Sequence, residues 1–140
     1  MPEPREHCVA GTIGGKIYIV GGRAGGIGGF EPTSLEFDPA APGYVQKAPI
    51  PTPRGGIAGA VLRNKLFVFG GEGNDAVASG VFPNVDAYDP ATNSWEALPA
   101  MDIPRHGLGA AALGEHIYLP GGATIEGAGA VDDASVFFFE

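Results

Sequence analysis

The sequence predicts an all-β protein in which one unit of about 50 residues occurs three times. An apolar run that ends in two glycines occurs three times, and glycine and proline are abundant, at 24 and 13 of 140 residues. No segment of ten or more residues has the apolar spacing of a helix. These features are typical of many short strands joined by turns. We therefore expect one domain, with units at about 1–49, 50–100 and 101–140.

The apolar run with its two glycines is the clearest landmark of the unit. It reads KIYIVGG from Lys16, KLFVFGG from Lys65 and HIYLPGG from His116. We interpret it as a strand, B, that ends where the backbone must bend or pack closely, which glycine permits. A phosphate-binding loop would need a helix after the glycines, and the sequence indicates none.

A Pro-Arg pair precedes each apolar run at a constant distance. The arginines are Arg5, Arg54 and Arg105, and a short apolar segment follows each of them. This segment is expected to form strand A, which precedes strand B. Cys8 falls at an apolar position of the first segment, so we interpret it as a buried small side chain and not as a nucleophile. Because it is the sole cysteine, it cannot form an internal disulfide.

The segments LEFDP and VDAYDP, which end at Pro39 and Pro90, predict strand C and the turn after it. Asp bonds to its own backbone and Pro fixes φ, which together favour a turn. Tyr44 and Trp95 follow these prolines at the same distance and predict strand D. The third unit ends in SVFFFE without Asp-Pro or Trp, so we expect only three strands there.

The glycine pairs, the Pro-Arg starts and the segment AYDPATNSW resemble the kelch repeat. The resemblance covers essentially the whole chain and implies a β-propeller with four-stranded blades. Three features depart from the kelch pattern: Tyr44 stands where Trp is usual, Pro120 interrupts the third strand B, and the third unit lacks strand D.

Three blades would form an open arc, because closed propellers have about four to eight blades. The apolar blade faces at both ends and the aromatic strand Val136–Phe139 would then need a cover. The resemblance therefore implies a partial propeller, and we expect a second copy to complete a six-bladed ring about a twofold axis. The alternative is that the sequence is a fragment of a longer chain.

Antiparallel strands bring the D–A and B–C connections to one face of the blades, where binding is expected on long loops. If strand A lines the central channel, as in kelch relatives, the repeated arginines ring its mouth and suit a carboxylate or phosphate ligand. The alternative is structural: each arginine binds backbone carbonyls or an acidic loop residue and ties blade to blade. The candidate binding residues on this face are Arg5, Arg23, Arg54, Glu72, Arg105 and His106.

The leading functional hypothesis is a non-catalytic binding module for a protein or an anionic small molecule. The alternatives are a sugar-related enzyme with a site at the channel mouth and a truncated structural fragment.

No cofactor or metal is expected, and the copper site of some kelch oxidases cannot be transferred, because Cys8 lies at a core position. The net charge of −8 opposes nucleic-acid or anionic-membrane binding. The N-terminus lacks a signal-peptide core, which predicts a cytoplasmic location.

Overall fold

Three antiparallel sheets stand side by side in the computed structural model, which describes residues 1–26 and 28–138. Each sheet is one blade of a partial propeller. Blade 1 consists of β1 (Val9–Ile13), β2 (Lys16–Val20), β3 (Ser34–Asp38) and β4 (Ala41–Lys47). Blade 2 consists of β5 (Ala58–Leu62), β6 (Lys65–Phe69), β9 (Val85–Asp89) and β10 (Ser94–Leu98). Blade 3 consists of β11 (Ala111–Leu113), β12 (His116–Pro120) and β15 (Ala134–Phe137).

The predicted all-β fold is confirmed, and the third blade has three strands within residues 1–26 and 28–138. The Asp-Pro turns form as expected, since Asp38 Oδ1 accepts a hydrogen bond from the Ala40 N–H at 2.8 Å and Asp89 Oδ1 accepts one from Ala91 at 2.9 Å. The expected aromatic strand extends to Phe139, which lies outside the described residues.

The B–C connections of blades 2 and 3 contain short hairpins that the sequence analysis missed. β7 (Glu72–Asn74) pairs with β8 (Gly80–Val81), and β13 (Ala123–Ile125) pairs with β14 (Ala128–Ala130). Strands of two or three residues rich in Gly and Ala have no readable alternation of apolar and polar side chains. These hairpins project from the same face as the D–A connections, because Gly55 bridges to Glu72 and His106 bridges to Ala123.

Apolar side chains fill the two junctions between neighbouring blades. Tyr18 of blade 1 lies in one buried cluster with Leu66 and Tyr88 of blade 2. Phe69 of blade 2 lies in a second cluster with Leu119 of blade 3. A blade in this fold is therefore stabilised by its neighbours, and it has no apolar core of its own.

The glycine pairs after strand B form backbone contacts between neighbouring blades. The N–H of Gly22 donates to the Arg54 carbonyl at 3.0 Å, and the N–H of Gly71 donates to the Arg105 carbonyl at 3.0 Å. A Cβ at Gly70 would overlap the Arg105 carbonyl oxygen, and Gly70 has a φ of +58°. The glycines thus permit both a left-handed backbone and a close approach.

Replacing Gly70 by alanine should destabilise the protein much more than Gly14→Ala. Gly14 has nearly the same φ, +59°, but open space where its Cβ would lie. The left-handed backbone alone should cost about 1 kcal/mol at Gly14, and the overlap with Arg105 should raise the loss at Gly70 to about 3 kcal/mol. Urea unfolding of both variants measures the difference. Equal losses would show that the backbone angle matters and the blade junction does not.

Candidate functional site

Arg54 is fully buried, with 0% of its surface exposed. Its Nε donates to the Gly70 carbonyl at 2.7 Å, its Nη1 to the Thr52 carbonyl at 3.0 Å, and its Nη2 to Asp86 Oδ2 at 2.8 Å. Burial lowers the pKa of Arg54, and the neighbouring Asp86 carboxylate opposes this shift. All three guanidinium nitrogens therefore bind groups of the same blade.

Arg105 occupies the equivalent place in blade 3 and is also 0% exposed. Its Nη2 donates to Ser135 Oγ at 2.6 Å, where Ser135 matches Asp86 in the repeat. Its Nη1 donates to the carbonyl oxygens of Leu119, Gly121 and Asp133. The guanidinium thus joins the end of β12 to the start of β15.

Arg5 makes the corresponding contacts in blade 1. Its Nη1 donates to the Thr33 carbonyl at 2.7 Å, its Nη2 donates to Thr33 Oγ1, and Glu31 Oε2 lies 3.6 Å from Nη2. Only 2% of the Arg5 side chain is exposed. The three arginines bind backbone carbonyls and polar side chains, as the structural alternative expected, but the groups that their guanidiniums bind belong to their own blade and not to its neighbour. A ligand-binding role for Arg5, Arg54 and Arg105 stays a prediction.

A surface cleft of about 580 Å³ opens on the face of the D–A and B–C connections. Its lining includes Arg23 of blade 1, Glu72 of blade 2, His106 of blade 3 and the β13–β14 hairpin. The cleft therefore brings together the other three predicted site residues, one from each blade.

Glu72 is the centre of the charged groups in this cleft, and only 5% of its surface is exposed. Its Oε1 lies 3.3 Å from Arg23 Nη1, and its Oε2 lies 3.2 Å from His106 Nδ1. Arg23 Nε lies 3.3 Å from Glu6 Oε1, and His106 Nε2 lies 2.9 Å from the Ile125 carbonyl. One buried carboxylate thus links blade 1 to blade 3, which fixes the geometry of the cleft floor.

His7 also lines the cleft, and the sequence analysis did not select it. It has a φ of +55°, while Gly56 and Gly107 at the same repeat position have φ values of +62° and +60°. A histidine at a left-handed position that glycine fills elsewhere costs free energy, and such strained residues concentrate at functional sites. The alignment of His7 with two glycines was the signal that could have identified it.

A second group of ionisable side chains lies inside blade 1. Glu36 accepts hydrogen bonds from Lys16 Nζ at 2.7 Å and Tyr18 Oη at 3.0 Å, and Lys47 Nζ lies 2.9 Å away. The pKa of Glu36 is lowered to about 2, mainly by the hydrogen bond from Lys16, although burial opposes the shift. Burial is the main cause that raises the pKa of Tyr18 to about 12, and the hydrogen bond with Glu36 adds to the shift. Both shifts favour a charged Glu36 carboxylate and a neutral Tyr18 phenol near neutral pH, the states in which the Tyr18 hydroxyl donates to Glu36.

Cys8 is a free thiol of intermediate exposure, so the prediction of a buried side chain is wrong in degree. Its repeat equivalents Ile57 and Leu108 are buried against the preceding blade, whereas no described blade covers that side of blade 1.

Among residues 1–26 and 28–138, no three His, Cys, Asp or Glu side chains are arranged to hold a metal ion. The same residues contain no helix that could span a membrane.

The side-by-side antiparallel sheets and their glycine junctions define a repeat protein of the β-propeller class. The family model described as Kelch motif matches residues 4–35 and 53–102. The chain belongs to the kelch-repeat family.

Three kelch-like relatives are similar to this chain along most of its length. Kelch-like protein terF of Aspergillus terreus is 36% identical over 135 residues, which are 91% of this chain and 28% of that protein. Kelch-like protein 25 of Xenopus tropicalis is 36% identical over 121 residues, 81% of this chain and 19% of that protein. Kelch-like ECH-associated protein 1B of Danio rerio is 34% identical over 101 residues, which are 69% of this chain and 17% of that protein. The chain thus spans less than a third of each relative.

Replacing Arg54 by methionine should lower the free energy of unfolding by about 3–5 kcal/mol, because Asp86 would remain buried without its partner. The double variant with Asp86→Leu should recover part of this loss. Arg63→Met is the matched control: Arg63 pairs with Glu115 at 2.7 Å on the surface and should contribute about 1 kcal/mol or less. Urea unfolding of the three variants provides the measurement. An Arg54→Met protein as stable as the control would contradict the structural role.

Proposed function

We propose that this chain is a non-catalytic binding module that holds a protein partner on the face of the D–A and B–C connections. The main support is the cleft in which all three blades contribute to one charged network centred on Glu72. The family supports the same class, since its kelch-like members indicate protein interaction. A cytoplasmic location stays a prediction.

The cleft combines groups suited to a polar partner with an apolar rim. Arg23 and His106 can each exchange the Glu72 carboxylate for a carboxylate of a partner, since both are hydrogen-bond donors. Ile125 on the β13–β14 hairpin is 52% exposed and offers apolar surface beside them. An anionic small molecule would use the same guanidinium of Arg23, which is the arginine in this cleft lining.

A photo-crosslinking amino acid at Ala128 should capture a partner protein when the chain is expressed in its native cells. Ala128 is exposed and lines the cleft. The matched control is the same amino acid at Thr92, which is exposed in the C–D turn of blade 2. Addition of Glu72→Gln and His106→Ala to the Ala128 variant should reduce the captured product, because the cleft floor loses the carboxylate that contacts Arg23 and the imidazole of blade 3.

Capture at Thr92 alone, or capture at Ala128 that the two cleft substitutions leave unchanged, would contradict the proposed binding face. The enzyme alternative is tested separately with a sugar panel in a thermal-shift assay and with product analysis. A single sugar that raises the melting temperature and is converted by the chain would overturn the non-catalytic assignment.

We propose in addition that a second copy covers the open face of blade 3 and completes a six-bladed ring. Exposed apolar residues at repeated positions support this proposal. Ile13 is 8% exposed and Tyr18 is 5% exposed in blade 1, but their equivalents Leu113 and Tyr118 are 70% and 40% exposed in blade 3. Large exposed apolar residues on one face favour association.

The backbone at the two ends of the arc is complementary, which further supports head-to-tail closure. Between blades, Gly56 N–H donates to the His7 carbonyl at 3.1 Å and Gly107 N–H donates to the Gly56 carbonyl at 2.7 Å. Within the described residues, the His7 N–H and the Gly107 carbonyl have no such backbone partner. The Gly122 N–H and the Arg5 carbonyl are unpaired in the same way. A second copy can therefore repeat both junction bonds.

Sedimentation of the 140-residue chain should give the mass of two copies, and Tyr118→Asp should convert it to one copy. The added charge would be buried in the junction without a partner. Val77→Asp is the control, because Val77 is 47% exposed in the β7–β8 loop and lies away from both open faces. A chain that sediments as one copy would contradict closure by self-association. It would favour closure by further blades of a longer polypeptide.

A further inference from the structure

The β13–β14 hairpin, which forms one wall of the cleft, is packed more loosely than its counterpart in blade 2. Every strand residue of β13 and β14 is half-buried or exposed, whereas Glu72 on β7 and both residues of β8 are buried. Gly127 and Gly129 lie in or beside its turn, and residues 126–130 line the cleft. An element with few buried contacts opens at a low cost in free energy. The position of this hairpin therefore depends on a small number of polar contacts.

His106 makes the side-chain contact that joins this hairpin to blade 2. Its Nε2 lies 2.9 Å from the Ile125 carbonyl oxygen, and its Nδ1 lies 3.2 Å from Glu72 Oε2. The imidazole thus lies between the hairpin and a buried carboxylate. Besides the backbone bridge at the base of the hairpin, the Glu126 N–H donates to the Ser79 carbonyl of blade 2 at 2.8 Å.

Both atoms that face the His106 ring nitrogens are hydrogen-bond acceptors. A protonated imidazole has two N–H donors, whereas a neutral imidazole has one donor and one lone pair. In either neutral tautomer, one ring nitrogen presents its lone pair to the Ile125 carbonyl or to the Glu72 carboxylate. Two electron-rich atoms then face each other without a proton between them. The protonated ring is therefore the form that can bind both groups at once.

The other charged groups of the cleft determine what happens to Glu72 when His106 is neutral. The remaining ionisable side chains in the cleft lining are those of His7, Arg23 and Glu126. Arg23 Nη1 lies 3.3 Å from the second oxygen of Glu72, and Glu6 in turn contacts Arg23. Glu72 thus keeps a cationic partner after His106 loses its proton. The loss affects the hairpin contact and leaves the contact between blades 1 and 2 in place.

We propose that His106 is a proton-dependent latch on the cleft. The protonated ring binds the β13–β14 hairpin to Glu72. Loss of the proton leaves the Glu126 N–H as the hydrogen bond between the hairpin and blade 2 within the described chain, and the hairpin moves away from the cleft floor. Histidine side chains ordinarily change charge between about pH 5 and 8, so the cleft is closed on the acidic side of this range and open on the alkaline side. The latch is a property of the chain itself and does not rest on the partner proposed above.

Pulsed electron paramagnetic resonance on the whole chain measures the position of the hairpin. Cys8→Ser removes the native thiol, and nitroxide labels are attached through Ala128→Cys on the hairpin and Thr92→Cys in the C–D turn of blade 2. Both labelled positions are exposed. The distribution of distances between the labels should be narrow at about pH 5.5 and broader at about pH 8, because a neutral His106 releases the hairpin.

Three variants and a second label pair serve as controls. His106→Gln should make the two distributions the same, because glutamine carries no charge. Glu72→Gln should reduce the pH response, since the charged ring loses its carboxylate partner. His116→Gln should leave the response unchanged, because this histidine lies at the start of β12 and not in the cleft. Labels at Ala76→Cys and Thr92→Cys report on the β7–β8 loop and should show no change with pH.

Alanine-methyl NMR of the unaltered chain gives a readout that does not depend on a variant's folding. The methyl resonances of Ala128 and Ala130 should shift with pH along the same curve as the His106 ring. A label distribution that is the same at both pH values, or a response that survives His106→Gln or is unaffected by Glu72→Gln, would overturn the latch. So would an equal response at Ala76, or methyl shifts that follow the His7 ring.

Discussion

Each blade junction depends on one residue that makes two kinds of contact, the arginine at the start of the blade. The Arg54 guanidinium binds the backbone and Asp86 of its own blade, while its carbonyl accepts a hydrogen bond from Gly22 of the preceding blade. Arg105 repeats this arrangement with Ser135 and Gly71. The arginine residue therefore contacts the preceding blade through its backbone carbonyl and its own blade through its guanidinium.

The junction contacts hold neighbouring blades in place, while the side chains on the face of the D–A and B–C connections differ from blade to blade. The repeat positions that pair beside each junction are Glu6 with Arg23, Gly55 with Glu72, and His106 with Ala123. The backbone bridge is the same in all three blades, but the side chains differ, so charges of opposite sign and an imidazole meet at Glu72. The proposed binding face thus lies at positions where the fold constrains the backbone and not the side chain.

Much of the fold was predictable because the same strand and turn signals occur at the same positions in each repeat. Short apolar runs, Asp-Pro turns and glycine pairs placed strands A to D, and the absence of Asp-Pro and Trp from the third unit predicted its three strands. The β7–β8 and β13–β14 hairpins could not be predicted, because short segments rich in Gly and Ala carry no periodic signal. The predicted site residues on the face of the D–A and B–C connections include Arg23, Glu72 and His106, but their pairing could not be predicted, because their contacts join different blades.

Local composition and a constant spacing were enough to predict the kelch resemblance, the strands of each blade and the positions of the glycine pairs and arginines. The contacts of the arginine side chains could be identified only from the folded structure, and a ligand-binding role for them stays a prediction. An arginine that binds a ligand and one that binds buried carbonyls look the same in a sequence, and the difference lies in whether solvent reaches the guanidinium. At 0% exposure, Arg54 and Arg105 bind the protein's own groups, whereas Glu72 and its neighbours line the cleft on the face of the D–A and B–C connections.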